Sequence, residues 1–207
     1  MAASSLSEIS PIEKRLKLPK GFYQKLLEDD DWSFVIKLNA IFEALCTHVL
    51  DARLDAETLS NELSELPYAD SKFGKLAMLK KLGALEVNQY KSLIELARIR
   101  NLVVHRIENI GFTLTQYLKQ KDLNARKSFC NIFGYNANDI IKIGNQSVQR
   151  NRFISENPKL AIWLNALEIL ACLNLEFEIV DIKEKAKAYQ AIEELLQSLQ
   201  KRLPTPK

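Results

Sequence analysis

Arg100 and His105, five positions apart, are the residues in the sequence best suited to carry out chemistry. An imidazole titrates near neutral pH and can take up or release a proton. A guanidinium presents a planar fork that matches two oxygens of a phosphate or carboxylate. Asn101 and His105 are one helical turn apart, and Arg98 lies one further turn back, so these three share a polar stripe. Such a set could bind an anion and transfer a proton.

The helix that positions these residues is predicted over 89–107. Its apolar face contains Leu93, Leu96, Val103 and Val104 when residues are placed at about 100° per step. Arg100 falls in the middle of that face, where a charge is costly unless it is paired or binds an anion. Positions five apart lie about 140° apart on a straight helix. Arg100 and His105 can therefore converge only if the helix ends near His105 or if a second subunit completes the site.

Two interpretations of this pattern are open. In the first, Arg98, Asn101 and His105 form the solvated side of the helix, and Arg100 reaches solvent or pairs with a buried carboxylate. In the second, Arg100 and His105 point into a shared cleft, where an anion binds the arginine. Glu43, inside an apolar run of an earlier helix, is either the buried partner of Arg100 or a structural polar residue.

The remaining reactive residues give little support to other chemistry. His48 lies three residues before Asp51 and is expected to form a surface pair with it near a helix end. The three cysteines, Cys46, Cys130 and Cys172, are far apart and include no CxxC pair, which argues against a zinc site or a disulfide framework. GxSxG, P-loop, GxGxxG and HExxH motifs are also lacking. We expect neither a metal nor a cofactor.

Composition predicts an all-α fold. The chain has 207 residues with only 6 Gly and 6 Pro, too few for the frequent turns of a sandwich or barrel. The 47% of apolar residues is ample for a core, which excludes a disordered chain. A net charge of +3 is too small to imply nucleic-acid binding by bulk charge, so an RNA site would have to be a local patch.

The chain is predicted to comprise a flexible N-terminal arm over 1–19 and one helical domain over 20–207, an up-and-down bundle of four to five core helices with peripheral ones. Within that domain, 112–156 is an irregular insertion and 181–207 a C-terminal helix that could serve as a dimer arm. The insertion contains lysines and arginines that form either a solvated surface or a phosphate-contacting patch.

Hydrophobic periodicity and turn residues place the individual helices. The predicted segments are 11–18, 22–28, 32–53, 57–63, 71–82, 89–107, 112–118, 123–133 and 158–180, the last continuing to 202 directly or after a kink. The N-terminus has no signal-peptide pattern, and no apolar run approaches the ~18 residues of a membrane span. We expect a soluble, cytoplasmic protein without a membrane partner.

The six residues from Arg100 to His105 resemble the R-x4-H motif of HEPN domains (higher eukaryotes and prokaryotes nucleotide-binding), in which a polar residue such as Asn101 often follows the arginine. Residues 75–85, Tyr90 and 93–100 are similar to the corresponding segment of the mannitol operon repressor branch of HEPN-like proteins. The helix over 34–50, with Glu43 in its apolar run, is similar too. The resemblance covers about 32–107 and, more weakly, the helix that begins at Pro158.

The resemblance implies a helical bundle that dimerises with the two motifs facing one cleft. Many HEPN members are metal-independent endoribonucleases, including toxins and defence nucleases, whereas others are regulators or scaffolds. In an endoribonuclease, His105 would transfer the proton and Arg100 would stabilise the phosphorane-like transition state. Asn101 would orient His105 or a phosphate oxygen, and Glu43, His48 and Arg98 are candidate supporting residues.

Three functions are therefore carried forward from the sequence. The first is a dimeric HEPN-like endoribonuclease, a toxin or defence effector whose partners are RNA and a cognate antitoxin. The second is a non-catalytic regulatory or interaction protein similar to the mannitol operon repressor. The third is a helical scaffold in which Arg100 is simply ion-paired.

Overall fold

The computed structural model of the protein describes residues 9–54, 60–105, 110–135, 137–143 and 146–202. These residues form ten α-helices and one small two-stranded sheet, so the all-α class predicted from the composition is confirmed. The helices are α1 (Ile9–Arg15), α2 (Phe22–Lys25), α3 (Asp31–Leu54), α4 (Ser60–Glu65), α5 (Lys75–Lys81), α6 (Val87–Val104), α7 (Leu114–Lys119), α8 (Leu123–Phe133), α9 (Arg150–Glu156) and α10 (Pro158–Arg202).

Helix α3 is the centre of the core and packs against α5, α6 and α10. Its first turn is stabilised by the Asp30 carboxylate, which accepts hydrogen bonds from the backbone N–H and the hydroxyl of Ser33 at 2.9 and 2.7 Å. The pKa of Asp30 is lowered by these bonds. Ten α3 residues are buried on a broad face: Phe34, Val35, Leu38, Asn39, Ile41, Phe42, Leu45, Cys46, Val49 and Leu50. Each large apolar side chain buried there contributes roughly 1.5–3 kcal/mol.

Helix α1 is packed against the bundle, although the flexible arm was predicted to extend over 1–19. Ile12 is only 2% exposed, and α1 contacts α10. The carboxylate of Glu13 accepts hydrogen bonds from the N–H groups of Gly21 and Tyr23 at 2.9 and 3.0 Å. These bonds tie α1 to α2, so the part of the predicted arm from residue 9 onward is folded. Residues 1–8 lie outside the described residues.

Tyr23 and Trp163 join α2 to α10 through two reciprocal hydrogen bonds. The Tyr23 hydroxyl donates to the Trp163 carbonyl at 2.6 Å, and the Trp163 indole donates to the Tyr23 carbonyl at 3.0 Å. Their rings stack with centroids 5.0 Å apart. Burial of Tyr23 raises the pKa of its phenol. The N-terminal segment is thereby fixed to the longest helix.

Helix α10 runs through 45 residues as one element, so the predicted helix from Pro158 continues directly beyond residue 180. Its first half is buried in the bundle as far as Phe177, and every residue from 181 to 197 is exposed. Contrary to the expectation from uninterrupted apolar runs, α3 and α10 are long and apolar enough to cross a membrane by length and composition alone. In the structure, 56% of the most apolar stretch of α3 and 61% of that of α10 is buried. The core helices of soluble proteins can have the same length and composition.

The region over 112–156 is more regular than predicted. Helix α8 has the predicted bounds, and α7 begins at Leu114, two residues later than expected. The predicted loops between α8 and α10 instead contain an antiparallel hairpin of β1 (Ile140–Ile143) and β2 (Gln146–Gln149), followed by α9. Strands of four residues are too short to show a clear alternation in sequence, which explains why they were missed.

Candidate functional site

The helix that carries the R-x4-H motif is fixed at its start and ends at the histidine. A capping box joins Glu86 and Gln89, and the Gln89 side chain accepts a hydrogen bond from the Glu86 N–H at 2.9 Å. The last helical residue is Val104, and His105 follows with φ −80° and ψ −3°. Its N–H donates to the Asn101 carbonyl at 3.4 Å. Helix α6 therefore ends three residues before the predicted Ile107, next to His105.

Arg100 is half-buried on the face of α6 that packs into the core. Its neighbours on that face, Leu93, Leu96 and Val103, are buried, as the helical spacing predicts. The guanidinium Nη1 donates to the Asn101 Oδ1 atom at 3.1 Å. Within the described ranges no ion pair joins Arg100 to a carboxylate. The charge of Arg100 is thus partly desolvated and has a neutral amide as its protein partner.

The Arg100 side chain lines a cleft of about 430 Å³ between α3, α6 and the loop before α5. We name this cavity the Arg100 cleft; its lining residues are Asn39, Glu43, Pro67, Tyr68, Ala69, Asp70, Ala97, Arg100 and Asn101. Glu43 and Arg100 line the same cavity. Among the described residues they do not form the ion pair that one interpretation of the sequence predicts.

The loop that closes one side of the cleft is held by Asp70. The Asp70 carboxylate accepts hydrogen bonds from the N–H groups of Lys72 and Phe73 at 2.9 and 2.7 Å, and these bonds lower its pKa. Gly74 lies so close to the loop that a Cβ atom there would be 2.5 Å from the backbone N and O of Asp70. Because residues 70–74 form this turn, α5 begins at Lys75 and not at the predicted residue 71.

Two buried polar atoms at the cleft have no hydrogen-bond partner among the described residues. They are Asn39 Oδ1 and the Tyr68 hydroxyl, on side chains that are 3% and 8% exposed. Burial raises the pKa of Tyr68 well above its usual range, and the neighbouring Cys46 and Glu43 raise it further, so the phenol stays protonated at neutral pH. Because both atoms are covered by protein, the polar groups that the cleft itself presents include the Arg100 guanidinium, the Asn101 amide and the Glu43 carboxylate.

Other predicted site residues lie outside the Arg100 cleft. His105 is exposed at the end of α6 and is not among the lining residues. Arg98 is also exposed and pairs with Glu95 at 2.7 Å on the same helix. His48 lines a different cavity of about 460 Å³, which Arg15 and Phe22 also border. Within one chain the structure brings Arg100, Asn101 and Glu43 together and leaves His105, Arg98 and His48 elsewhere.

Sequence reasoning missed three polar residues in the lining of the cleft, namely Asn39, Tyr68 and Asp70. Asn39 precedes Glu43 by four positions in the same apolar run, so the pair forms one polar stripe on a core helix. That spacing is a signal that could have identified Asn39. Tyr68 and Asp70 follow Pro67 in a loop whose position against α3 and α6 has no local sequence signal.

The described part of the chain contains no group of three or more His, Cys, Asp or Glu side chains that could hold a metal ion. No protein-family model matches the chain, and no curated protein or solved structure matches it significantly. The geometry of the Arg100 cleft and of the helix end at His105 is accordingly the basis for a functional proposal.

Proposed function

We propose that this protein is a metal-independent endoribonuclease that acts as a homodimer, with Arg100 and His105 of the two copies in a shared site. The observation that carries the proposal is the state of Arg100. Its guanidinium is half-buried, faces an open cleft and has no carboxylate partner within the described ranges. A partly desolvated cation of this kind is stabilised by binding an anion, and a phosphodiester is an anion that fits its planar fork.

The reaction needs only groups that the chain and the RNA supply. The ribose 2′-hydroxyl attacks the adjacent phosphorus, the bond to the 5′-oxygen breaks, and the products carry a 2′,3′-cyclic phosphate and a 5′-hydroxyl. His105 takes the proton from the 2′-hydroxyl and delivers it to the leaving 5′-oxygen, so the imidazole ends the step in the state in which it began. Arg100 stabilises the extra negative charge of the transition state, and the amide of Asn101 is held beside it at 3.1 Å. DNA lacks the nucleophile and should not be cleaved.

The shared site follows from the positions of the two motif residues. His105 is exposed at the end of α6 and does not line the cleft of its own Arg100. Leu102 and Val104, which flank it on the same helix end, are 45% and 40% exposed, so this end presents apolar surface beside the imidazole. Pairing of two such helix ends would bury that surface and bring each imidazole to the partner's guanidinium.

The acceptors in the cleft suit the neutral parts of a ribonucleotide. The two oxygens of the half-buried Glu43 carboxylate can accept hydrogen bonds from ribose hydroxyls or base amino groups. A phosphate would be repelled by Glu43 and is expected at the Arg100 end.

A second candidate is a non-catalytic regulatory or interaction protein, similar to the mannitol operon repressor branch. The specific observation in its favour is that Glu43 and Asp70 give the Arg100 cleft two carboxylates against one guanidinium. A cavity with that balance repels a polyanion and would suit a basic or polar segment of a protein partner. Under this function the chain binds a protein and cleaves no RNA.

The decisive experiment incubates the purified protein with a pool of RNAs in EDTA and maps the product ends. We expect 2′,3′-cyclic phosphates, and a loss of at least about 100-fold for Arg100→Ala and for His105→Ala. Lys25→Ala is the control for the loss of one positive charge, because Lys25 is exposed at the end of α2 and does not line the cleft. Intact RNA with the unmodified protein, or undiminished cleavage by His105→Ala, would overturn the proposal.

The same variants test the proposed role as a toxin or defence effector in cells. Expression should arrest growth, and His105→Ala should relieve the arrest at an equal protein level. A cognate antitoxin would then be sought as a protein that suppresses this toxicity. Growth arrest that persists in both motif variants would contradict a toxin that acts by RNA cleavage.

A further inference from the structure

The C-terminal half of α10 presents an apolar stripe that nothing in the described part of the chain covers. Every residue from 181 to 197 is exposed, and this segment is named the α10 arm. Its exposed apolar side chains include Ile182, Tyr189, Ile192 and Leu196, at 65%, 71%, 52% and 53%. The last buried apolar residue before the arm is Phe177. An exposed apolar stripe along one face of a helix favours an interaction site.

The spacing of the apolar residues in the stripe is symmetric about Tyr189. Its members are Ile182, Ala186, Tyr189, Ile192 and Leu196, separated by steps of four, three, three and four. At about 100° per residue all five lie within about 60° of Tyr189, so they form one face. A second copy that runs antiparallel, with a two-fold axis at Tyr189, places Ile182 opposite Leu196 and Ala186 opposite Ile192. The stripe is therefore complementary to itself in the antiparallel orientation.

The charges of the arm select the same orientation. Residues 181–188 contain three lysines, one aspartate and one glutamate, a net charge of +1, and residues 190–197 contain two glutamates, a net charge of −2. Antiparallel pairing sets each basic half beside an acidic half, whereas parallel pairing sets like charges together. Lys185 and Glu193 lie four residues on either side of Tyr189 and about 40° from it. Each would meet the other residue's symmetry mate across the axis.

From these two features we propose that the α10 arm binds the α10 arm of a second copy of this chain, antiparallel, about a two-fold axis at Tyr189. The contact is independent of the proposed function, because the arm extends beyond the last buried residues of the bundle and shares no residue with the Arg100 cleft. Lys185 and Glu193 lie beside the apolar members of the stripe, where they lower the stability of the contact but fix its register and direction, as single polar core residues do in coiled coils.

Cysteine cross-linking of the full chain tests the register directly. Oxidised Tyr189→Cys should form a covalent dimer, since the two copies of position 189 meet at the axis. Ile182→Cys should not, because its two copies lie on opposite sides of the axis, about 20 Å apart at 1.5 Å per residue. Cross-linking of both variants would indicate a parallel pair of arms. Cross-linking of neither would show that the two arms do not meet at Tyr189. Each result overturns the proposal. These readouts do not depend on RNA cleavage or on any second interface.

Exchanging the charges of Lys185 and Glu193 tests the same contact through the affinity of one arm for the other. Sedimentation of the full chain over roughly 1 μM to 1 mM should show an association step, separate from pairing through the ends of α6, that Lys185→Glu or Glu193→Lys weakens by about tenfold or more. The double variant should return to within about threefold of the unmodified chain. Lys187→Glu is the control, since it makes the same change of charge on the far side of the helix. A double variant as weak as the singles, or binding of the arm to anionic vesicles without self-association, would contradict the proposal.

Discussion

The indole nitrogen of Trp32, at the start of α3, donates a hydrogen bond to the carbonyl oxygen of Val103 at 3.1 Å. Val103 lies in the last turn of α6, where carbonyl groups have no partner within the helix. Next to Trp32, the carboxylate of Asp31 accepts a hydrogen bond from the N–H of Leu114 at 2.8 Å. The start of α3 thus holds both the end of the motif helix and the first residue of α7, and it fixes the point at which His105 leaves α6.

Trp32→Phe should therefore reduce RNA cleavage more than it reduces stability. Loss of the hydrogen bond to Val103 is expected to cost about 1 kcal/mol in the free energy of unfolding, measured by urea denaturation. The control is Trp163→Phe, which loses a similar bond to the Tyr23 carbonyl in another part of the core. Equal cleavage by the two variants at equal folded fraction would show that Trp32 does not position His105.

The two most buried tyrosines should respond in opposite ways to loss of the hydroxyl. Tyr68→Phe removes a buried hydroxyl without a partner in the described structure and should leave the free energy of unfolding unchanged or raise it slightly. Tyr23→Phe removes a hydroxyl that donates to Trp163 at 2.6 Å and should cost about 1 kcal/mol. A clear loss of stability for Tyr68→Phe, in the absence of any ligand, would mean that its hydroxyl is satisfied within the protein.

Gly74→Ala should disrupt the wall of the Arg100 cleft. The new methyl group would lie 2.5 Å from the backbone of Asp70 and 2.9 Å from the Pro67 carbonyl, so the loop must shift. Overpacking of this kind costs roughly 1–3 kcal/mol, measured as a lower urea midpoint. Gly111→Ala is the control, because a Cβ atom at Gly111 meets no atom within 4 Å. Similar midpoints for the two variants would contradict the close approach at Gly74.

Alkaline pH should destabilise the fold through its buried phenols. Burial, the negative charge of Glu95 and the hydrogen bond to Glu95 together raise the pKa of Tyr117 to about 12. The phenols of Tyr23, Tyr68 and Tyr135 also have raised pKa values, chiefly from burial. An unfolded phenol titrates near ~10, so this stabilisation is complete below that pH and is lost as pH rises through the folded pKa.

Urea midpoints measured against pH, together with tyrosinate absorbance of the folded protein, check the alkaline prediction. The midpoint should fall above about pH 10, and Tyr117→Phe should reduce the slope. A folded protein in which all phenols ionise together near their ordinary pKa would contradict the burial of these side chains.

Most helices were predictable because their signals are local. The apolar spacing from Phe34 to Leu50 and the carboxylates before it identified α3 to within one residue at each end. The end of α6 was placed three residues late, because the bond from Trp32 that fixes it comes from 71 residues away in sequence. The hairpin over 140–149 was missed since its strands are only four residues long.

The candidate site was only partly predictable for a similar reason. The unusual position of Arg100 on an apolar face is visible in the sequence, because it depends on the helical period alone. The residues that surround its guanidinium come from α3 and from the loop over 67–70, and their approach depends on tertiary contacts such as the close contact at Gly74. The position of His105 relative to a second subunit depends on how two chains associate. Neither the helical period nor the structure of one chain gives that information.

Subunit mixing between Arg100→Ala and His105→Ala is the most direct test of the shared site. Each variant alone lacks one member of every site, but a mixed dimer contains one site with Arg100 from one chain and His105 from the other. We predict that mixing two inactive preparations restores RNA cleavage in EDTA with 2′,3′-cyclic phosphate ends. A mixture that stays as inactive as its components, while the unmodified protein cleaves, would contradict a site shared between subunits. No cleavage by the unmodified protein would contradict the nuclease itself.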